Sequence, residues 1–202
     1  MHTLHIIAVV AEDEEDAILA AESALEPYGQ GRVWDWFDVG GRWNGALGGK
    51  NTLRYSDNPE LWGATIDAVF ERMDRTFNDL KDRITGRHIS LEDVSDTDNV
   101  FGLPISDKEA YVARNNEMND KYADAFKRVM AMERVPRTPD ALGDKSMAAW
   151  TMEQLCRIVK GDYTYDTPFL DGEEGGVWRN GVDARCKEEP EMQWLVAVDL
   201  HN

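Results

Sequence analysis

The apolar positions divide the chain into β-like ends and a helical middle. Residues 2–10 (HTLHIIAVV) and 192–201 (MQWLVAVDLH) are apolar on both faces, the pattern of strands covered on two sides. They match each other as sheet partners. Behind the first, residues 12–16 (EDEED) place negative charge at a helix start, where the positive end of the helix dipole favours it. Ile18, Ala21 and Leu25 share one face of that helix, and Pro27 ends it near Glu26. From Pro59, the residues Trp62, Ile66, Val69, Phe70, Met73, Phe77, Leu80 and Ile84 recur with a period of 3.6, predicting a long helix with a stop near Gly86. Residues 88–99 are polar and acidic and read as a short extended piece with a loop. A second long helix is expected over 106–132, with Tyr111, Met118, Tyr122, Phe126 and Val129 on its stripe, broken by Pro136 and Pro139. Ser146 can cap a further helix over 147–160, stopped at Gly161. Tyr163 to Leu170 and Gly176 to Arg179 read as strands around an Asp171-Gly172 turn. The pattern predicts an α+β fold: a mainly antiparallel sheet joining the N- and C-terminal strands, backed by amphipathic helices. Residues 1–202 would form a single domain, with 57–160 a mostly helical insertion or cap.

The segment from Val33 to Gly45 (VWDWFDVGGRWNG) interrupts this pattern with three tryptophans, two adjacent glycines and an arginine. Its alternation predicts a β-hairpin with Gly40 and Gly41 in a type I′ turn, which needs positive φ at both central positions. Trp34, Trp36, Asp38 and Trp43 would then share one face, with Gly45 across from Trp36. The ordinary reading makes the tryptophans core. The functional reading makes Trp34, Trp36, Arg42 and Trp43 a platform for a nucleotide or another planar anion, with an indole for stacking and Arg42 for charge. A fainter echo, GGVWRNG at 175–181, carries one extra residue and changes the faces, so chance explains it more simply than the alternative, a weak internal duplication.

Charge narrows the choice of partner. The formal net charge is -17, with 42% hydrophobic residues. An acidic surface repels a nucleic-acid backbone and favours a basic protein partner, although acidity also serves plain solubility. The two cysteines, Cys156 and Cys186, have no metal-binding spacing. No secretory leader follows Met1 and no apolar run reaches membrane length. A reduced cytoplasm, no membrane and no cofactor are expected.

Catalytic motifs are tested and mostly fail. Gly48-Gly49-Lys50-Asn51 lacks the first glycine and the Ser/Thr of a phosphate loop, since Asn44 and Asn51 stand there. The acidic stretch 93–102 lacks the glycine of a calcium loop. Antiparallel pairing of the terminal strands would bring His5 near Asp199 and His201, residue types that ligate a metal or move a proton. The plain alternative is histidines at fraying sheet ends.

The order of an acidic first helix ending at Pro27-Tyr28, Trp34-Asp35-Trp36 before Gly40-Gly41-Arg42-Trp43, a Thr167-Pro168-Phe169 strand, Trp178, and Val196 to His201 resembles uncharacterised small proteins of phages and prophages. Those carry a W-D-W…G-G-R-W hairpin and a closing V-V-D-x-H strand. Leu200 stands where the resembling proteins have a cysteine, so no thiol role carries over. The resemblance covers the two ends of the chain and implies source and fold, with no activity. The leading expectation is a non-enzymatic phage-type accessory protein that binds a host macromolecule, such as a defence or nucleic-acid-processing protein, through its acidic surface. The alternatives are a small-ligand binder at the Trp/Arg segment, a metal-assisted hydrolase using His5, Asp199 and His201, and a virion component.

Overall fold

The computed structural model describes residues 2–29, 34–84, 88–95, 99–100, 103–130, 154–155 and 157–201. The expected stops at Gly86, Pro136 and Pro139 and the Ser146 cap lie outside these residues. The chain forms two compact units, one of residues 1–76 with 157–202 and the other of residues 77–156. Where the sequence pattern anticipates one domain with an insertion over 57–160, the second unit begins inside the long helix.

The first unit is built on a five-stranded sheet. The strands are β1 (His2–Val10), β2 (Trp36–Val39), β3 (Thr52–Arg54), β6 (Phe169–Asp171) and β7 (Gln193–His201). The terminal strands zip together antiparallel, from His2↔His201 to Val10↔Gln193. β2 and β3 lie end to end along one edge of β7, opposite 198–201 and 194–196. β6 runs parallel to β1 on the other side.

Both faces of the central strands are covered, as their two-sided apolar pattern requires. Ile7, Val9, Val196, Val198 and Leu200 pack with Ala17, Ala21 and Leu25 of α1 (Glu14–Leu25). Ile6, Ala8, Leu195 and Ala197 pack with Trp62, Ile66 and Met73 of α2 (Pro59–Ile84) and with Val182 and Cys186 of a helix at Arg179–Glu188. Asp13 caps α1, its side chain accepting from the Asp16 N–H at 3.0 Å.

The expected hairpin at Gly40-Gly41 does not form. β2 pairs with β7, and Gly41–Trp43 is a turn of 3-10 helix. Both glycines have positive φ, +77° and +47°, but the chain turns off the sheet edge instead of doubling back. The two-glycine reversal occurs later, at Gly48-Gly49, where Leu47 and Lys50 exchange backbone hydrogen bonds of 2.9 and 3.4 Å. Gly45 belongs to this second turn, its N–H donating to Asn51 Oδ1 at 2.8 Å, and does not face Trp36. A central strand in want of a partner outcompetes a local ribbon, because β7 buries both faces and must satisfy its edge.

Residues 176–179, expected as strand, make only a single bridge, Gly176 to Asp171, before the helix at Arg179–Glu188. Only Val182 and Cys186 are buried along it, too sparse a stripe for periodicity to detect. Burial and the neighbouring Asp183 push the Cys186 thiol up to about 11. With Cys156 replaced by serine, Cys186 in the native protein is expected to react with iodoacetamide at pH 8 at about a thousandth of the rate of an unperturbed thiolate. Mass spectrometry of timed aliquots checks this; labelling as fast as in urea would contradict it.

The second unit contains the end of α2, a 3-10 turn at Leu91–Asp93, the strands β4 (Asn99–Val100) and β5 (Leu103–Pro104), and α3 (Lys108–Met130). Asn116 of α3 clamps the Ile89 backbone with two hydrogen bonds of 2.9 Å. Ser90 and Asp93 form a reciprocal capping box. In chain order the fourth helix of the described residues is Arg179–Glu188, labelled α4.

Candidate functional site

Strand parity decides which side chains meet at the paired ends of β1 and β7. Residues directly opposite each other share a face, so His2 joins His201, and Leu4 joins Asp199. The β2 register adds Trp36 opposite His201 and Asp38 opposite Asp199. His2, Trp36, Asp38, Asp199 and His201 therefore lie on the face that α2 covers further along.

Asp199 is 1% exposed, and a buried carboxylate requires compensation. His2 Nδ1 lies 3.1 Å from each of its oxygens. The Arg42 backbone N–H donates to Oδ2 at 3.0 Å. The 3-10 turn can approach this closely because Gly41 has no side chain; a Cβ there would sit 2.6 Å from Asp199 Cβ. The two positive-φ glycines before Arg42 thus serve a carboxylate clamp and not a hairpin tip.

Around this clamp the aromatic rings form a contiguous group. Trp36 stacks on His201, with centroids 5.1 Å apart and planes at 11°. His2 meets Trp36 and His201 edge-on at 5.4 and 5.0 Å. His201 Nδ1 stands 3.7 Å from Asp35 Oδ2. Trp36 is 45% exposed and Trp43 40% exposed. Arg42, Asp35 and Asp38 are also exposed.

Trp34 is not part of this surface. It is 8% exposed and packs in the α1-side core, edge-on to Phe37 at 5.0 Å. β2 starts only at Trp36, so alternation does not carry back to Trp34. Of the four platform residues anticipated, Trp36 and Trp43 present their indoles to solvent, Arg42 is exposed and also contributes its backbone N–H, and Trp34 is core.

The trio His5, Asp199 and His201 is likewise not assembled. His5 pairs with Val198 in register, so its ring points to the other face. There it is fully buried, shares a 2.8 Å hydrogen bond with the Tyr163 hydroxyl, and lies edge-on to that ring. Burial, helped by the charge of Arg72 and opposed by the Tyr165 backbone, lowers its pKa to about 3. The imidazole is neutral at ordinary pH. His2 takes the place assigned to His5; alternation along β1 already sets the two histidines on opposite faces, and the register decides which of them meets Asp199. Among the described residues no three His, Cys, Asp or Glu side chains stand close enough to hold a metal ion.

Chemically, the Asp199–His2 pair orients an imidazole and keeps a buried carboxylate satisfied, while Trp36 and Trp43 each leave apolar indole surface exposed. No helix among the described residues is long and apolar enough to cross a membrane. No protein-family model, no characterised protein and no solved structure matches this chain.

Proposed function

We propose that this chain is a non-enzymatic binding protein, of the accessory kind that phages encode, that docks on a host macromolecule with a basic surface. The observation that carries this reading is the exposure of Trp36 and Trp43, at 45% and 40%, beside the exposed Asp35 and Asp38. Tryptophans dominate binding energy when a partner desolvates them. Trp36 is already braced against His201, so little side-chain freedom is left to lose on docking. The net charge of -17 would speed the encounter with a basic surface and give it its salt dependence. A defence protein or a nucleic-acid-processing protein has the required positive groove.

Immobilised protein is expected to retain a basic protein from host lysate at low salt and release it at high salt. Trp36→Ala with Trp43→Ala should lower retention at least about tenfold, the equivalent of about 1.4 kcal/mol. Equal retention by the double variant, or no salt-sensitive partner at all, would sink the reading. The Trp36–His201 stack favours one second reading, a planar anion layered on the free side of the indole with Arg42 as counter-charge. Saturable quenching of tryptophan fluorescence by nucleotides, lost in Trp36→Phe, would select it over the protein partner.

A further inference from the structure

We propose that the partner docks by adding a strand to the open edge of β2, and that the added segment is a basic extended peptide in which Lys or Arg alternates with apolar residues. This rests on the partner reading above and names the partner chemistry which that reading leaves open.

The backbone defines the edge. β2 is an end strand, paired with β7 on one side and with no strand on the other among the described residues. Just past its end, the Gly40 N–H donates to the Ala197 carbonyl at 2.9 Å. Backbone groups alternate in direction along a paired strand. Trp36 and Asp38 therefore turn theirs toward β7, while Phe37 and Val39 turn theirs outward. Asp35 departs from this alternation, its N–H donating to the His201 carbonyl at 2.8 Å, so the open stretch begins at Trp36. The outward N–H and C=O groups of Phe37 and Val39 have no partner among the described residues. Such a row is a template for another strand.

Side chains select the occupant. Phe37 and Val39 are half-buried against the α1-side core. Residues opposite each other across a ladder share a face, so apolar side chains facing these two would extend that core. On the other face, Trp36 and Asp38 are exposed. Asp38 stands opposite Asp199 in the β7 register. His2 and the Arg42 N–H answer Asp199, whereas Asp38 has no ion-pair partner among the described residues. β7 thus offers Asp38 a like charge, and a cation can reach it from the open edge. Trp36 stacks on His201 of β7, so its other face turns toward the same edge, where a second cation suits it.

Charge on a sheet edge turns away strands that cannot answer it. A second copy of this chain brings the same sign, with a net charge of -17. A basic strand answers Asp38 and pairs its own backbone with Phe37 and Val39.

The test is calorimetric titration of the whole protein with the blocked peptide Ser-Val-Arg-Val-Arg-Val-Ser and its isomer Ser-Val-Val-Arg-Arg-Val-Ser. Both carry the same charge, but only the first alternates. It is expected to bind saturably, and the isomer at least about tenfold more weakly. N-methylation of either the valines or the arginines of the first peptide should abolish binding, and methylation of the other set should spare it, because only alternate amides point at β2. Val39→Pro removes an outward donor that makes no bond to β7, and should weaken the peptide at least about tenfold. Asp38→Lys should transfer the preference to Ser-Val-Glu-Val-Glu-Val-Ser, a readout that holds even if the proline variant fails to fold. Equal binding of the two arginine peptides, an equal effect of the two methylated sets, or an unchanged preference in Asp38→Lys overturns strand addition. A host partner lost in Trp36→Ala with Trp43→Ala but fully retained by folded Val39→Pro also overturns it, and leaves the partner reading standing.

Discussion

Replacing Arg185 by methionine is expected to lower the stability of the sheet unit by about 3–5 kcal/mol. Asp171 ends β6 and is fully buried. Its Oδ1 accepts the backbone N–H groups of Glu173 and Glu174, at 3.1 and 3.4 Å, and the Arg185 guanidinium at 2.6 Å. The amides orient the carboxylate, but Arg185 alone among these supplies a full opposite charge. Methionine keeps much of the side-chain volume and removes that charge, leaving an unpaired buried anion. The double variant Asp171→Asn with Arg185→Met should recover part of the loss, since the anion is gone too. Urea unfolding at pH 7, followed by tryptophan fluorescence, measures both. The signal reports mainly on the sheet unit, because Trp150 is the one tryptophan outside it. A loss below about 1 kcal/mol would mean that the pair behaves like an exposed one.

The second large effect is acid destabilisation through His5. Its pKa is lowered from 6.5 to about 3 in the folded chain. The unfolded chain therefore takes up the proton first as pH falls. Stability due to neutral burial is complete above pH 6.5, declines as pH falls from 6.5 toward about 3, and levels off below that. The slope in this window is ~1.4 kcal/mol per pH unit for one proton, reaching about 5 kcal/mol in all. Many carboxylates also titrate at the lower end, so the contrast with a variant is the quantity to read. His5→Gln is expected to be less stable than the parent at pH 7 and to approach or overtake it by pH 4. Urea midpoints at half-unit pH steps give the two curves. Parallel curves would remove His5 from the acid response.

The contrast between His5 and His2 shows how far pattern reading reaches into a site. Antiparallel pairing of the chain ends was legible because both terminal strands are apolar on two faces, which few other segments of the chain could cover. Register was not legible, since the period of two makes a one-residue slip exchange every face. With His2 opposite His201 the imidazole that reaches Asp199 is His2, and His5 turns into the α1-side core. Trp34 misled in the same way. It sits two residues before Trp36 in the sequence, but the strand begins at Trp36, and alternation holds only inside a strand.

The Gly40-Gly41 segment shows a different limit. Local chemistry correctly called for two positive φ values. It could not weigh a two-stranded ribbon against an edge position on β7, because that competition depends on a strand about 160 residues away in the chain. The helix α4 escaped notice for the opposite reason: the two side chains that anchor it in the core, Val182 and Cys186, carry too little pattern, and its other anchor, Arg185 on the buried Asp171, is a tertiary contact.

What the residues alone determined was the class of fold: two-sided apolar termini, the acidic start and proline stop of α1, the long stripe of α2, and a surface of net charge -17. These follow from interactions over a few positions or from composition. What tertiary structure decided was pairing and register, hence that His2 and Arg42 converge on Asp199, and that Trp36 leans on His201 while Trp34 is buried. Those arrangements join residues far apart along the chain, and the energy that selects them comes from burying the central strands on both faces at once.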